Sequence, residues 1–586
     1  MHPRKPPGTS NGLAGLVPVI GWVTSYRREF LRSDLTAGLT VAVLLIPQSM
    51  AYAALAGMPA QAGLYAAIVS LIVYAILGTS RVIAVAPVAI DSLLVAAAVG
   101  PIAQGDTTVY VSAAGLLAVM SGVMQLALGV LRLGALVNFL SMPVISGFIS
   151  AAAITIAASQ LKELLGVTAD GGSTFGGTIA ATWTALDTVS GTTVVIGSAA
   201  IAALVLARRF APQLPAALLV VAGATVLVAL FRLDQHGVRV LGSVPSGLPT
   251  PQLPAADLDL MAQLLPAAAT IAVISYLESI TTAKAFAART RQRIVPNQEL
   301  LALGAANMAA GLFRGFAVAG GFSRGAVNFR AGAKTQLSGV VAAAVLALAV
   351  AFLTPLFFYL PRAALAAVIV VAVASLVDVR GSLRMFQINR VDGVALLVTF
   401  LATLSLGVAL GLAIGVAVSL VIFIARTARP QVAEIGRVKG TVRYRNVDRW
   451  ETHTDNRIAI LRMDAPLYFA NAKFFEDRVQ NLVASRESIT HLVLVASAIG
   501  DIDVSGVQQL SDIDDDLAAA GIELHLVTVR GPVRDVLRRA GRWDGLVAAG
   551  RVHTTIQAAV EALAGTAGTP LLPSADDQET PPKGLA

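Results

Sequence analysis

RVIAVAPVAIDS, residues 81–92, has a counterpart in RGFAVAGGFSRG, residues 314–325. Aligned without gaps, Arg81 falls on Arg314 and Ala84-Val85-Ala86 on Ala317-Val318-Ala319. Pro87 then falls on Gly320, and Asp91 on Arg324. Both stretches open apolar segments too short to cross a bilayer as one helix, and Pro or Gly interrupts each near its start. Short, broken segments at matching places in two halves of a membrane chain point to a transporter binding site. Each would run in as extended chain and begin a half-helix near the midplane. Free N–H groups and the positive end of the helix dipole there suit an anion.

Working outward, apolar segments run at 34–57, 60–78, 82–98, 108–131, 137–165, 189–207, 215–231, 262–288, 297–313, 320–331, 335–360, 363–378, 391–405 and 406–426. The paired stretches open the third and tenth of these fourteen, the same place in a seven-plus-seven arrangement. The composition agrees with a polytopic α-helical membrane protein. Of 586 residues, 56% are hydrophobic and only 13% charged, against about 25% charged in a soluble protein. Residues 1–33 read as a cytoplasmic segment too rich in Pro and Gly for a signal peptide, ending in the basic YRREFLR. With the N-terminus inside, loops after even-numbered segments hold most basic residues, among them Arg208, Arg209, Arg289, Arg293, Arg380 and Arg384. Loops after odd-numbered segments hold few, which places both termini in the cytoplasm. The formal charge of +8 is accounted for by these loops, so no nucleic-acid partner is expected. The chain has no cysteine, hence no disulfide or thiolate metal site.

ISYLESITTAKAF, residues 274–286, puts Glu278 about 18 Å along the eighth segment at 1.5 Å per residue. Ser275, Thr281 and Thr282 share its helix face. An intramembrane carboxylate is a functional candidate by default, with a structural ion pair as the alternative. Lys284 lies nearer the cytoplasm and can snorkel to the interface. In LLIPQSMAYA, residues 44–53, Pro47 interrupts the helix ladder, and Gln48, Ser49 and Tyr52 place polar tips beside it; a locally satisfied kink is the alternative. In GGFSRGAVN, residues 320–328, Ser323 and Arg324 stand at the half-helix start. An arginine at that depth needs an anion, whether a substrate or Asp91.

DLTAGLTVAVLLIPQSMAYAALAG, GLYAA and GTSR, followed by LESITTAKAFA, NQELLALGAANMAAGLF, GGFSRGAVNFRAGAKT and LPRAALAAVIV, resemble the sulfate permease (SulP) family of anion transporters in order along the chain. The resemblance implies fourteen segments in two inverted seven-segment repeats, a core domain of segments one to four and eight to eleven beside a gate domain, and a homodimer. It implies anion binding between the facing ends of segments three and ten. By the same resemblance Gln48, Tyr52, Val88, Phe322, Ser323 and Arg324 are the substrate-binding residues. Glu278 and Thr282 match an ion-holding pair in sodium-coupled relatives. Asp91 departs from the family's usual apolar residue. Its charge would oppose that of Arg324, and it joins Glu278 and Thr282 as an ion-coupling candidate.

After Pro430 charges become dense and apolar runs shorten. RIAILRMDAPLYFANAKFFEDRV, HLVLVASAIGDIDVSGVQQL, IELHLVTV and GPVRDVLRRAG alternate strand and helix, giving a cytoplasmic α/β domain over 428–565. It resembles the STAS domain, for which a cytoplasmic partner is expected. Asp503 and Ser505 of the DVSG loop match a regulatory phosphorylation site in anti-anti-sigma proteins; Ser505 as an N-cap is the alternative. Residues 566–586 read as a disordered tail.

No Walker-type motif occurs, so ATP drive and a bound cofactor are not expected. The six histidines are scattered, none paired at metal spacing, so no metal is expected beyond Na⁺ at Glu278 and Thr282 in a sodium-coupled protein. The chain lacks the acid–base pairs of an enzyme. It reads as a secondary transporter of a small anion (sulfate, bicarbonate or a dicarboxylate) in the cell membrane, with H⁺ favoured over Na⁺ for symport. An anion channel or charge-moving sensor on the same scaffold is the second reading.

Overall fold

In a computed structural model of the chain a helix overlaps each of the fourteen apolar segments. The structure describes residues 17–103, 105–135, 141–168, 174–211, 215–255, 257–290 and 292–564; the C-terminal tail expected to be disordered lies outside them. The helices are α1 Arg28–Leu55, α2 Ala60–Leu77, α3 Ala89–Ala103, α4 Thr107–Val130, α5 Met142–Ser159, α6 Gly191–Phe210, α7 Ala216–Phe231, α8 Leu258–Thr290, α9 Pro296–Leu312, α10 Phe322–Arg330, α11 Leu337–Phe352, α12 Arg362–Ala374, α13 Arg390–Leu406 and α14 Val408–Ala428. Two strands interrupt them, β1 Val85–Ala86 before α3 and β2 Ala319–Gly320 before α10. By length and hydropathy α1, α2, α4, α6, α8 and α14 can each cross a bilayer, as can the runs Met142–Leu165 and Arg362–Ile388. α3, α7 and α11 are shorter apolar helices, and α10 has only nine residues.

Two expectations need correction. The first helix starts at Arg28, inside the expected N-terminal segment. A further helix, Pro18–Thr24, precedes it, and Trp22 Nε1 donates to the Ala75 carbonyl at 3.1 Å. Pro47 does not break α1, which continues through it. Loss of one N–H donor is tolerated because neighbouring helices bury this stretch.

Within unit Met1–Leu420, α1–α4 pack with α8–α11, while α5–α7 pack with α12–α14. The groups meet where α7 and α12 lie against α1. Lipid offers no hydrophobic drive between helices, so close approach of small residues does the work. α4 and α9 cross at two glycine pairs. A Cβ on Gly122 would lie 2.5 Å from the Gly304 carbonyl oxygen, and one on Gly311 2.4 Å from that of Gly115. Two fully buried carboxylates tie distant parts of the chain. Asp34 accepts from Lys334 N at 2.7 Å, Thr335 N at 3.1 Å and Thr335 Oγ1 at 2.7 Å. Glu299 accepts from Tyr74 OH at 2.7 Å, Thr79 N at 2.8 Å and Thr79 Oγ1 at 2.5 Å. Hydrogen bonds to charged groups contribute about 1.5–3 kcal/mol each.

Unit Val421–Ala586 carries a seven-stranded sheet. Its strands are β3 Val432–Val438, β4 Tyr444–Asn446, β5 Thr452–His453, β6 Ile458–Met463, β7 His491–Val495, β8 Glu523–Val527 and β9 Val552–His553. The order is β4-β3-β6-β7-β8-β9, with β5 also paired to β3. β6 to β9 are parallel, so each successive pair needs a crossover. These contain α15 Ala472–Ala484, α16 Val504–Ala519 and α17 Gly531–Arg539. A last helix, α18 Ile556–Ala564, packs Ala559 onto Ile458, Ile460, Val493, Val495 and Val527.

Candidate functional site

The paired stretches meet in space. β1 and β2 pair antiparallel, Val85 opposite Gly320 and Ala86 opposite Ala319. α3 starts at Ala89 and α10 at Phe322, positions that the ungapped alignment sets opposite each other. Both half-helices therefore begin at one crossing. Their first intrahelical bonds are Ser92 N to Val88 O at 3.0 Å and Gly325 N to Gly321 O at 3.1 Å. The amides of residues 89–91 and 322–324 precede those bonds and point out of the helix ends.

So short a ladder leaves flanking backbone groups to side chains. On the β1 side Ser70 Oγ donates to Val85 O at 2.8 Å, Asn328 Nδ2 to Val82 O at 2.8 Å and Gln336 Nε2 to Ile83 O at 3.0 Å. On the β2 side Val318 N donates to Asn307 Oδ1 at 2.8 Å and Gly320 N to Ser279 Oγ at 2.7 Å. Asn307 Nδ2 in turn donates to Gln125 Oε1 at 3.0 Å. Ser275 is spent within this support, its Oγ donating to Ile271 O and accepting from Gln125 Nε2 at 3.2 Å. The sequence reading missed Ser70, Gln125, Ser279, Asn307, Asn328 and Gln336. For Ser70, Gln125 and Asn307 the available signal was one isolated amide or hydroxyl in an apolar stretch of helix.

Arg324 is 2% exposed and its guanidinium latches the crossing. Nη1 donates to Pro87 O at 2.6 Å, and Nη2 to Ala86 O and Ala319 O, each at 3.0 Å. Gly321 makes the room, since a Cβ there would sit 2.9 Å from Nη2. The expected Asp91–Arg324 ion pair is absent among the described residues, because backbone carbonyls take the guanidinium instead. Both Asp91 oxygens are buried without a hydrogen-bond partner, as are Glu278 Oε2, Gln48 Oε1 and Ser49 Oγ. Arg324 lies within electrostatic reach of Asp91, Glu278 and Tyr52, and Glu278 within reach of Asp91 and Tyr52. Val88 and Thr282 are buried too. Phe322 and Ser323 are exposed, and the Phe322 ring stacks on buried Phe286 at 5.3 Å. Thr281 and Lys284 point out of the packed core. The arrangement can hold an anion at two helix ends beside one fixed cation and two carboxylates.

In the second unit Asp503, not Ser505, caps α16: its Oδ1 accepts from Gly506 N at 2.7 Å. Its Oδ2 also accepts from Phe469 N at 3.1 Å, a bridge that a serine hydroxyl could not span. Ser505 lies exposed inside the first turn. The histidines are not scattered in space. His491, His525 and His553 lie on β7, β8 and β9, with ring centroids 5.4 Å and 5.3 Å apart. Parallel crossovers hide this neighbourhood from sequence spacing. Burial, then His491 and His553, push the His525 imidazole down to about 4.

The chain matches the Sulfate permease family over residues 31–399 and the STAS domain over residues 449–559. A probable sulfate transporter of Mycobacterium tuberculosis is 35% identical over 552 residues, covering 94% of this chain and 98% of that protein. Sulfate transporter 4.1, chloroplastic, of Arabidopsis thaliana is 35% identical over 546 residues, covering 90% and 79% respectively. Among solved structures, the murine Solute Carrier 26 family member A9 anion transporter in its inward-facing state superimposes with a TM-score of 0.87. That match is 23% identical and covers 96% of this chain and 97% of that one. The transmembrane domain of the cyanobacterium bicarbonate transporter BicA gives a TM-score of 0.58 at 24% identity, over 67% of this chain and 98% of that one. Both are likenesses of fold. By family the protein is a transporter and not an enzyme. With its apolar helical unit, its α/β unit and these matches, the chain belongs to the sulfate permease family and carries a STAS domain after its membrane helices.

Proposed function

We propose that this transporter is a secondary active anion carrier that binds its anion at the β1–β2 crossing and couples it to a cation. The observation that carries this reading is one latched guanidinium beside a buried carboxylate, Asp91, and a half-buried one, Glu278, where two helix N-termini meet. Suppose Asp91 and Glu278 are both ionised beside Arg324. The three charges then sum to minus one, and an arriving anion is repelled. Each proton taken up removes one negative charge, so cation occupancy and anion binding favour each other, as symport requires. Arg324 and the amides at residues 322–324 supply the positive field. Gln48, Tyr52, Val88, Phe322 and Ser323 line the anion's place. The names of the relatives make sulfate the first substrate to test.

Sodium coupling is the second reading, and one observation favours it. Glu278 has no second carboxylate near it on its own helix, where Asp259 stands in the first turn, but Asp91 reaches it electrostatically from α3. With Thr282 these two could cage a sodium ion. We keep the proton as the first reading, because the single fixed cation leaves one net negative charge, which one proton neutralises. We further propose fourteen crossing segments, both termini in the cytoplasm, a cell-membrane location and a homodimer. The test is uptake of labelled sulfate into proteoliposomes under separately imposed proton and sodium gradients. Accumulation on the proton gradient supports symport with H⁺, and accumulation on the sodium gradient alone supports the second reading. A carrier also shows counterflow; its absence would turn the reading into a channel.

A further inference from the structure

Three parallel strands of the STAS unit bring together side chains that the transport reading does not use. His491 opens β7, and Glu523 and His525 lie on β8, on the sheet face where α18 covers Val493 and Val527. His491 and Glu523 are register partners across the β7–β8 ladder. His525 sits two residues along from Glu523, so its side chain shares that face. Glu523 Oε2 lies 3.5 Å from His525 Nε2 and 3.8 Å from His491 Nδ1. The three ligand-type atoms all fall within 4.8 Å of one another. In a tetrahedral zinc site, with Zn–N near 2.0–2.1 Å, such atoms stand roughly 3.3 Å apart. The two distances from Glu523 are already close to that value, and its exposed side chain is free to adjust them.

A second observation is independent of the clustering. His525 is 4% exposed, yet its Nε2 is buried without a hydrogen-bond partner, as is His491 Nδ1. Both nitrogens face the Glu523 carboxylate. The other ring nitrogen of His525, Nδ1, is engaged by His553 Nε2 at 3.2 Å. Metal-bound histidines use this same division, one nitrogen on the metal and the other held by a neighbour that sets ring orientation and tautomer.

We infer that His491, Glu523 and His525 form a binding site for a first-row divalent cation of the zinc class, with His553 orienting His525. Two imidazoles and one carboxylate suit zinc, cobalt or nickel far better than magnesium or calcium, which prefer oxygen ligands throughout. Three protein ligands leave a fourth position for water. An ion there would fasten β7 to β8 at their N-terminal ends.

The test uses the full chain in detergent, produced without a histidine tag and stripped with a chelator. Equilibrium dialysis against Zn²⁺ with metal quantification should give one tightly held ion per chain, and Co²⁺ should give visible d–d absorption. H491N and E523Q should each weaken Zn²⁺ binding at least tenfold and remove the Co²⁺ bands. H553A should weaken it about 10–100-fold as an orienting residue. H236N, which alters an exposed histidine of the other unit, should bind as the parent does. H525N is read only where its melting curve shows a folded unit; H491N and E523Q carry the test otherwise. A parent chain that holds no Zn²⁺, or one whose Zn²⁺ and Co²⁺ binding is unchanged in H491N and E523Q, overturns the site.

Discussion

Replacing Arg324 by alanine removes the three hydrogen bonds to Pro87 O, Ala86 O and Ala319 O. A charged donor contributes about 1.5–3 kcal/mol per bond, which sets a gross loss of roughly 5–9 kcal/mol. Removing one member of a buried charge group measures about 3–5 kcal/mol in practice, and the two accounts overlap. We therefore expect about 4 kcal/mol, close to a thousandfold in the folded ratio, where each 1.4 kcal/mol is tenfold. Part of that loss is the stranding of Asp91 and Glu278 without their cation. Asp91→Asn in the same chain should thus recover about 1–3 kcal/mol, a coupling that a double-mutant cycle isolates. Arg324→Lys keeps the charge but not the planar fork, and should fall between parent and alanine in stability while losing most transport. The assay is melting in detergent alongside sulfate uptake in proteoliposomes. Arg324→Ala that melts as the parent does, and still takes up sulfate, would refute the latch.

Three further outcomes follow from the packing. Gly304→Val should abolish folded protein, because a Cβ there meets Gly122 O at 2.7 Å; Gly176→Ala, with nothing within 4 Å, should be harmless by size-exclusion chromatography. Glu299→Gln should lower stability by about 3 kcal/mol, since an amide cannot accept on both sides from Tyr74 and Thr79; a melting curve checks this. Asp503→Ala should cost the STAS unit about 1 kcal/mol as a lost cap, whereas Ser505→Ala should stay within about 0.5 kcal/mol, both read by denaturant titration.

The two short repeats carried most of the fold in their spelling. The register that set Asp91 on Arg324 also set Ala89 on Phe322, where both half-helices begin. The same reading offered Asp91 or a substrate as the anion for Arg324 and did not foresee the backbone carbonyls. Ladder geometry was the missing information: two-residue strands expose their neighbouring carbonyls, and a buried guanidinium goes to them first. Asp34 and Glu299 were overlooked because each sits at the end of an apolar run, where a charge reads as an interface residue. Their partners, Thr335 and Thr79, are far away in sequence. The histidine stripe stayed hidden for a related reason, since parallel strands make neighbours of residues separated by a whole crossover.

The most direct test of coupling is simultaneous measurement of labelled sulfate and protons in proteoliposomes. A pH-sensitive dye should report protons entering with sulfate at a fixed ratio in the parent chain. Glu278→Gln should still bind sulfate but lose proton entry and uphill accumulation. Sulfate accumulation with no proton movement in the parent, or full accumulation in Glu278→Gln, would contradict a carboxylate-coupled proton symporter.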